Sequence, residues 1–295
     1  MATTAYAGPI IDAHIHLWRY SEPNYPWLAD QSLEGLRKDH LPHDYLALAG
    51  SCGITGSVHV EAGRRAEDCI AETQWLNEAD LPAGVGDRYV AHVPLGEPGA
   101  GRQLEQQAAH DRVVGIRDIM TWHPDPAKSR VGATDRMESP SWRRDFARLR
   151  HNNLVFDLLI SPWQAQKTFE LAAAHPDIVI AVNHCGSPMD RDRDGMNRWR
   201  DGLHRMAEAP NVVMKISDPV AYDPDWTEGR LREVIETCVE AFGPKRAMFA
   251  TDYPVSGLHI GFSRWVDVFR QVVAAFSEDE QTEIFHGTAA RTYRF

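Results

Sequence analysis

The chain has 295 residues, 43% of them hydrophobic and 25% charged, which is ordinary globular composition and excludes intrinsic disorder as the default. Its formal net charge of −11, without any long Lys/Arg run, repels phosphate backbones and anionic lipid and argues against nucleic-acid or membrane partners. Cys52, Cys69, Cys185 and Cys238 lack CxxC spacing, Met1 to Pro9 lacks a basic segment followed by an apolar run, and no stretch approaches the ~18 apolar residues that span a bilayer. Reduced thiols in a cytoplasmic protein are therefore expected.

Apolar, β-rich runs recur at 10–17, 56–62, 88–95, 113–120, 154–160, 178–184, 212–217 and 247–252, giving eight candidate strands. Helical segments lie between or after them at 67–80, 102–110, 141–152, 163–174, 197–209, 228–242 and 262–276. Strands alternating with helices predict parallel βα units, and eight such units close into one TIM barrel, here a single domain over 1–295. Two irregular insertions, 20–43 after strand one and 121–140 after strand four, fall where loops shape a barrel mouth, and the first has the position of a lid.

Alternation along strand one puts Asp12, His14 and His16 on one side, toward the barrel axis, and Ile11, Ala13 and Ile15 on the other, against the helices. An HxH pair at a strand end suits metal ligation or acid–base work, and a pair of satisfied interior histidines is the alternative. His184 ends strand six and Asp252 ends strand eight. Three strand ends thus direct three imidazoles and a carboxylate to the face on which barrel active sites are built.

Arg117 ends strand four, where its planar fork suits a substrate carboxylate or an ion pair with Asp118 or Asp157. Asp157 places a carboxylate in an apolar strand and is expected to orient Arg117 or a histidine. His59 and His92 interrupt strands two and three and read as hydrogen-bonded interior groups, with His59 also a candidate for the pocket lining. Trp122 and His123 in the second insertion, and Trp27 with Tyr25 in the first, are candidates for substrate contact. Cys185 points away from its neighbour His184 and makes a poor nucleophile for it. The glycines of 95–101 lack dinucleotide spacing, and Gly-Lys-Ser/Thr, HExxH and GxSxG are absent. No nucleotide or organic cofactor is expected.

The segments Ile11-Asp12-Ala13-His14-Ile15-His16-Leu17, Val182-Asn183-His184-Cys185-Gly186-Ser187-Pro188, Val213-Met214-Lys215-Ile216-Ser217 and Met248-Phe249-Ala250-Thr251-Asp252-Tyr253-Pro254-Val255 resemble the amidohydrolase-2 group. The resemblance is to its branch holding L-fuconolactonase and 2-pyrone-4,6-dicarboxylate lactonase, and it runs to a closing helix at 287–293. It implies a barrel hydrolase that opens a small sugar-derived or dicarboxylate lactone. Asp252 would act as general base, with His184, Arg117 and Lys215 as donors to an oxyanion or a carboxylate. His14, His16 and Asp252 form a three-ligand set for one zinc ion.

The chain departs from its group at two metal positions. Arg117 stands where binuclear members carry a carboxylated lysine, and Asp157 where mononuclear members place a histidine. Some lactonases of the branch work without metal, so metal-bound and metal-free sites both stay open. The alternative activity is metal-dependent decarboxylation of a small aromatic or unsaturated acid, and self-association into a homo-oligomer is the group's habit.

Overall fold

The apolar runs pair in chain order into one eight-stranded parallel sheet: β1 (Ile10–Ile15), β2 (Ile54–Val60), β3 (Arg88–His92), β4 (Val113–Ile119), β5 (Val155–Leu159), β6 (Ile180–Val182), β7 (Val212–Ile216) and β8 (Ala247–Phe249). This is the arrangement in a computed structural model, which describes residues 6–21, 23–132 and 136–295. The beginning of the N-terminal segment, Glu22 of the first insertion and 133–135 of the second lie outside the described residues. The sheet closes beyond the end of β8, where Asp252 N–H donates to His14 O at 2.9 Å and His16 N–H to Tyr253 O at 2.6 Å. The fold is a (β/α)8 TIM barrel.

Helices α1 (Pro42–Ala49), α2 (Cys69–Glu78), α3 (Ala100–Ala108), α4 (Pro140–Phe146), α5 (Ala165–Ala174), α6 (Arg193–Ala207), α7 (Glu228–Phe242) and α8 (Phe262–Val273) follow the strands in turn. Two short helices, α9 (Glu278–Thr282) and α10 (Thr288–Tyr293), end the chain. Helix α1 was not among the expected elements, although its start is encoded. Pro42 occupies the first turn, and the Asp44 carboxylate accepts from Leu41 N–H at 2.9 Å, a carboxylate near the helix's positive end. Among the described residues no helix is long and apolar enough to cross a membrane.

Two apolar layers hold the barrel. One lies between sheet and helices and includes Ile10, Ile15, Trp142, Phe146, Trp265 and Phe269. The other includes Ile11, Ala13, Val58, Val60, Val90, Val155, Ala181, Val213, Met248 and Tyr293. Buried tryptophans each bury roughly 150–250 Å² of surface, and every such indole N–H needs a partner. Trp199 finds the carbonyl of Cys185 at 2.7 Å and Trp265 that of Ala250 at 2.9 Å, so core packing also fixes backbone beside His184 and Asp252.

One expectation for strand one is corrected here. Ile11 and Ala13 join the second, barrel-facing layer instead of meeting the helices, while Ile15 does meet them. The cause is a register shift against β2 between Asp12 and Ile15, which resets the two-residue alternation. Asp12 therefore leaves the histidines and accepts from Tyr45 Oη of α1 at 3.0 Å and from Thr251 N–H at 2.8 Å.

The C-terminal end of the chain plugs the opposite end of the barrel. Tyr293 Oη donates to Asp157 Oδ1 at 2.8 Å, and Arg88 at the start of β3 holds the carbonyl of Arg294 at 2.9 Å. The first insertion is an ordered cover built on two 3-10 turns, Pro26–Ala29 and Gln31–Leu36. Its apolar side, with Trp18, Tyr25, Leu28 and Leu36, packs on Ala62 just past β2.

Candidate active site

Three strand ends turn sharply at the mouth. His184 (φ 49°), Cys185 (57°) and Ser187 (56°) follow β6, Asp218 (44°) follows β7 and Asp252 (58°) follows β8, all in the left-handed region that non-glycine residues avoid. Among the other described non-glycine residues only Asn153 and Arg294 share it. Each such residue costs on the order of 1–3 kcal/mol, and such strain gathers where side chains must be aimed.

The aimed groups converge. His14 Nε2 lies 3.2 Å from His16 Nε2 and 3.4 Å from Asp252 Oδ1, and His16 Nε2 lies 3.2 Å from the same oxygen. His184 Nε2 is 3.9 Å from it. The Nδ1 of His16 donates to Val60 O at 2.8 Å, so its Nε2 presents a lone pair to the centre. Burial, with the Lys215 charge adding to it, holds the His14 pKa well below the ordinary imidazole value, and burial takes His184 down to about 4. Both imidazoles are therefore neutral at pH 7.

The carboxyls divide the remaining charge. Burial pushes Asp252 up, but the electrostatics of the adjacent His184 and His16 rings and the proton carried by Asp218 overcome it and hold the group below the usual carboxylate value. Burial and the adjoining Asp252 push Asp218 well above that value, so the pair shares one proton, carried by Asp218. Asp218, at the end of strand seven, escaped the sequence argument. Its signal was the break from Val212–Ile216 into Ser217-Asp218, the same apolar-to-polar step that marked His184.

Arg117 is held from beneath by a second missed residue. Its Nε and Nη2 each lie 2.6 Å from Glu61 Oε1, Nη2 also donates to Glu61 O at 2.8 Å, and Nη1 is left 3.5 Å from His14 Nε2. The expected partners Asp118 and Asp157 are engaged elsewhere. Asp118 faces the helix layer, accepting from Trp142 Nε1 at 3.0 Å and from Arg136. Asp157 lies 2.5 Å from Lys215 Nζ and accepts from Asn183 Nδ2 at 3.0 Å, so it supports no arginine or histidine.

Several candidates for substrate contact have other work. Lys215, expected as a donor at the mouth, has no accessible surface and lies deep in the barrel against Asp157. His123 has both ring nitrogens occupied: Nδ1 accepts from Asp125 N–H at 2.9 Å and Nε2 donates to Asp190 at 2.9 Å. His59 accepts Leu17 N–H on Nδ1 at 3.2 Å and meets Glu72 through Nε2 at 3.1 Å, an interior histidine. Trp27 Nε1 donates to Ala62 O at 2.9 Å and pins the cover. Trp122 stays partly exposed, edge-on to Trp163 with ring centroids 6.4 Å apart. The four cysteines are free and buried.

The central set fits a metal ion. Two imidazole lone pairs and a carboxylate oxygen repel one another when nothing positive lies between them, and Asp252 Oδ1 is buried without a hydrogen-bond partner. Tetrahedral ligands at about 2.0–2.1 Å from zinc stand about 3.3 Å apart. The separations of 3.2, 3.2 and 3.4 Å match that spacing.

A family profile described as Amidohydrolase matches residues 11–295. The chain belongs to the amidohydrolase family. This amidohydrolase is 32% identical over 292 residues to the uncharacterized protein y4mH of Sinorhizobium fredii, covering 97% of this chain and 98% of that protein. It is 30% identical over 295 residues to L-fucono-1,5-lactonase of Burkholderia multivorans, with 96% and 95% covered. It also superposes with TM-score 0.83 and 25% identity on an amidohydrolase crystal structure from Burkholderia multivorans with bound zinc, covering 98% and 100%. By family the enzyme is a hydrolase.

Proposed function

We propose that this amidohydrolase opens the ester bond of a small sugar-derived lactone by attack of water, with Asp252 as general base. The observation that carries the reading is the convergence of three neutral or lone-pair-bearing imidazoles on an ionised, partnerless carboxylate oxygen, in a chain 30% identical to a sugar lactonase. His14, His16 and Asp252 would hold a single divalent metal ion. When bound there, zinc supplies a lowered water pKa and Lewis-acid polarisation of a carbonyl.

The residues account for the proton inventory. Asp252, ionised at neutral pH, takes a proton from water as its oxygen bonds to the lactone carbonyl carbon, a role worth roughly 10²–10⁴-fold. Arg117 Nη1 is the fixed donor for the oxygen that becomes anionic, since its other nitrogens are held by Glu61. His184 is oriented by Ser217 Oγ at 2.8 Å; with that hydroxyl donating to Nδ1, the Nε2–H faces the reacting centre. When the carbonyl reforms, the ester C–O bond breaks and the ring alkoxide takes the proton from Asp252. The product is the open hydroxy acid.

A pH-indicator assay over sugar-derived and dicarboxylate lactones, run with and without chelator, tests this. Proton release that is lost with chelator and restored by zinc supports the reading. Turnover that releases carbon dioxide from carboxylic acids, with no lactone opened, would replace it by the decarboxylase alternative.

A further inference from the structure

The reacting groups hang from two arms, and both arms meet on one oxygen of α2. Glu72 Oε1 lies 3.1 Å from His59 Nε2 and accepts Ala62 N–H at 2.9 Å. Through the first contact it fixes the tautomer of His59, whose Nδ1 then accepts Leu17 N–H at 3.2 Å, immediately after His16. His16 is latched to the same strand end by its bond to Val60 O at 2.8 Å. Through the second contact Glu72 holds the residue after Glu61, whose carboxylate and carbonyl both grip Arg117. Glu72 is only 4% exposed and its Oε2 has no hydrogen-bond partner, so its hold on both arms runs through Oε1 alone.

We propose that Glu72 is a positioning residue, which keeps the His14/His16 pair and the Arg117 guanidinium in mutual register without touching substrate. The proposal rests on the lactonase reading for its kinetic consequence, while its structural consequence is read from metal binding alone. What matters is reach rather than charge: a side chain that places an acceptor at the Oε1 position serves both arms, and a shorter one serves neither. Sequence gives no hint of this role, because Glu72 sits within a helix and its two contacts fall on β2 and the loop after it.

Two substitutions separate reach from charge. Glu72→Gln keeps the acceptor at its place and removes the charge; Glu72→Asp keeps the charge and withdraws the acceptor. Affinity for zinc, titrated against a chromophoric chelator, should fall about 10–100-fold in Glu72→Asp and stay within about threefold of wild type in Glu72→Gln. Turnover of L-fucono-1,5-lactone should follow the same order in kcat, with KM changed by less than about threefold. Should Glu72→Asp fail to fold, His59→Asn serves instead, since its amide oxygen stands near the Nδ1 position but cannot reach Glu72. Equal zinc affinity in wild type and Glu72→Asp overturns the proposal, and so does a Glu72→Gln variant as weak as Glu72→Asp. If no form binds zinc while lactone turnover persists, the metal reading fails, and the kcat order alone decides the role of Glu72.

Discussion

Replacing Glu61 with Gln should destabilise the enzyme at neutral pH by about 3 kcal/mol, and that loss should fade in acid. The two side chains are of similar size, so no cavity opens; what disappears is the counter-charge of a buried guanidinium. Burial alone would push the Glu61 carboxyl up, yet Arg117, His92 and the Gly63 N–H overcome it and bring its pKa from an ordinary 4.5 down to about 2. That gap corresponds to about 3 kcal/mol of folded-state preference for the ionised form. Breaking a buried ion pair from one side costs about 3–5 kcal/mol in other proteins, which agrees.

The sign follows from a depressed folded-state pKa. The contribution is complete above the unfolded value of 4.5 and is lost as pH falls through the window from 4.5 to about 2. Thermal unfolding at pH 7 should show Glu61→Gln melting about 5 °C below wild type. Repeating the comparison at pH values down to about 3 should shrink the gap to about half. Identical melting at pH 7, or a gap that does not shrink in acid, would refute the reasoning.

Two further perturbations probe the frame around the site. Lys215→Met leaves the fully buried Asp157 without its cation and should cost about 3–5 kcal/mol, visible as a comparable drop in thermal stability, while the added change Asp157→Leu should recover part of it. A single variant as stable as wild type would show that this pair is not ionised. Gly63 has φ +72°, and a Cβ there would stand 2.8 Å from Trp27 Nε1. Gly63→Ala should therefore loosen the cover and cost about 1–2 kcal/mol, read as faster limited proteolysis within 20–40; unchanged cleavage would argue against the latch.

The barrel was legible because parallel strands covered on both faces are near-continuous apolar runs, and Val212–Ile216 or Val113–Ile119 can hardly be anything else. Their boundaries were less so. The run 178–184 pairs only over Ile180–Val182, and 247–252 only over Ala247–Phe249, because the residues that end them turn into left-handed geometry to aim His184 and Asp252. His14, His16, His184 and Asp252 were visible as polar breaks at strand ends. Glu61 and Asp218 broke the same pattern but lacked a recognisable partner in sequence. The inward turn of Ile11 and Ala13 was hidden because a register shift leaves no mark on the residue pattern. The partners of Asp157 were hidden for another reason: Tyr293 lies 136 positions away and enters from the far end of the barrel.

The most direct test of the account is the hydrolysis, by wild type and by Asp252→Asn, of a sugar-derived lactone that the indicator assay finds opened, measured beside their thermal unfolding. Loss of roughly 10²–10⁴-fold in kcat by a variant that still folds is the predicted result. A folded Asp252→Asn enzyme that turns over the lactone at the wild-type rate would contradict it.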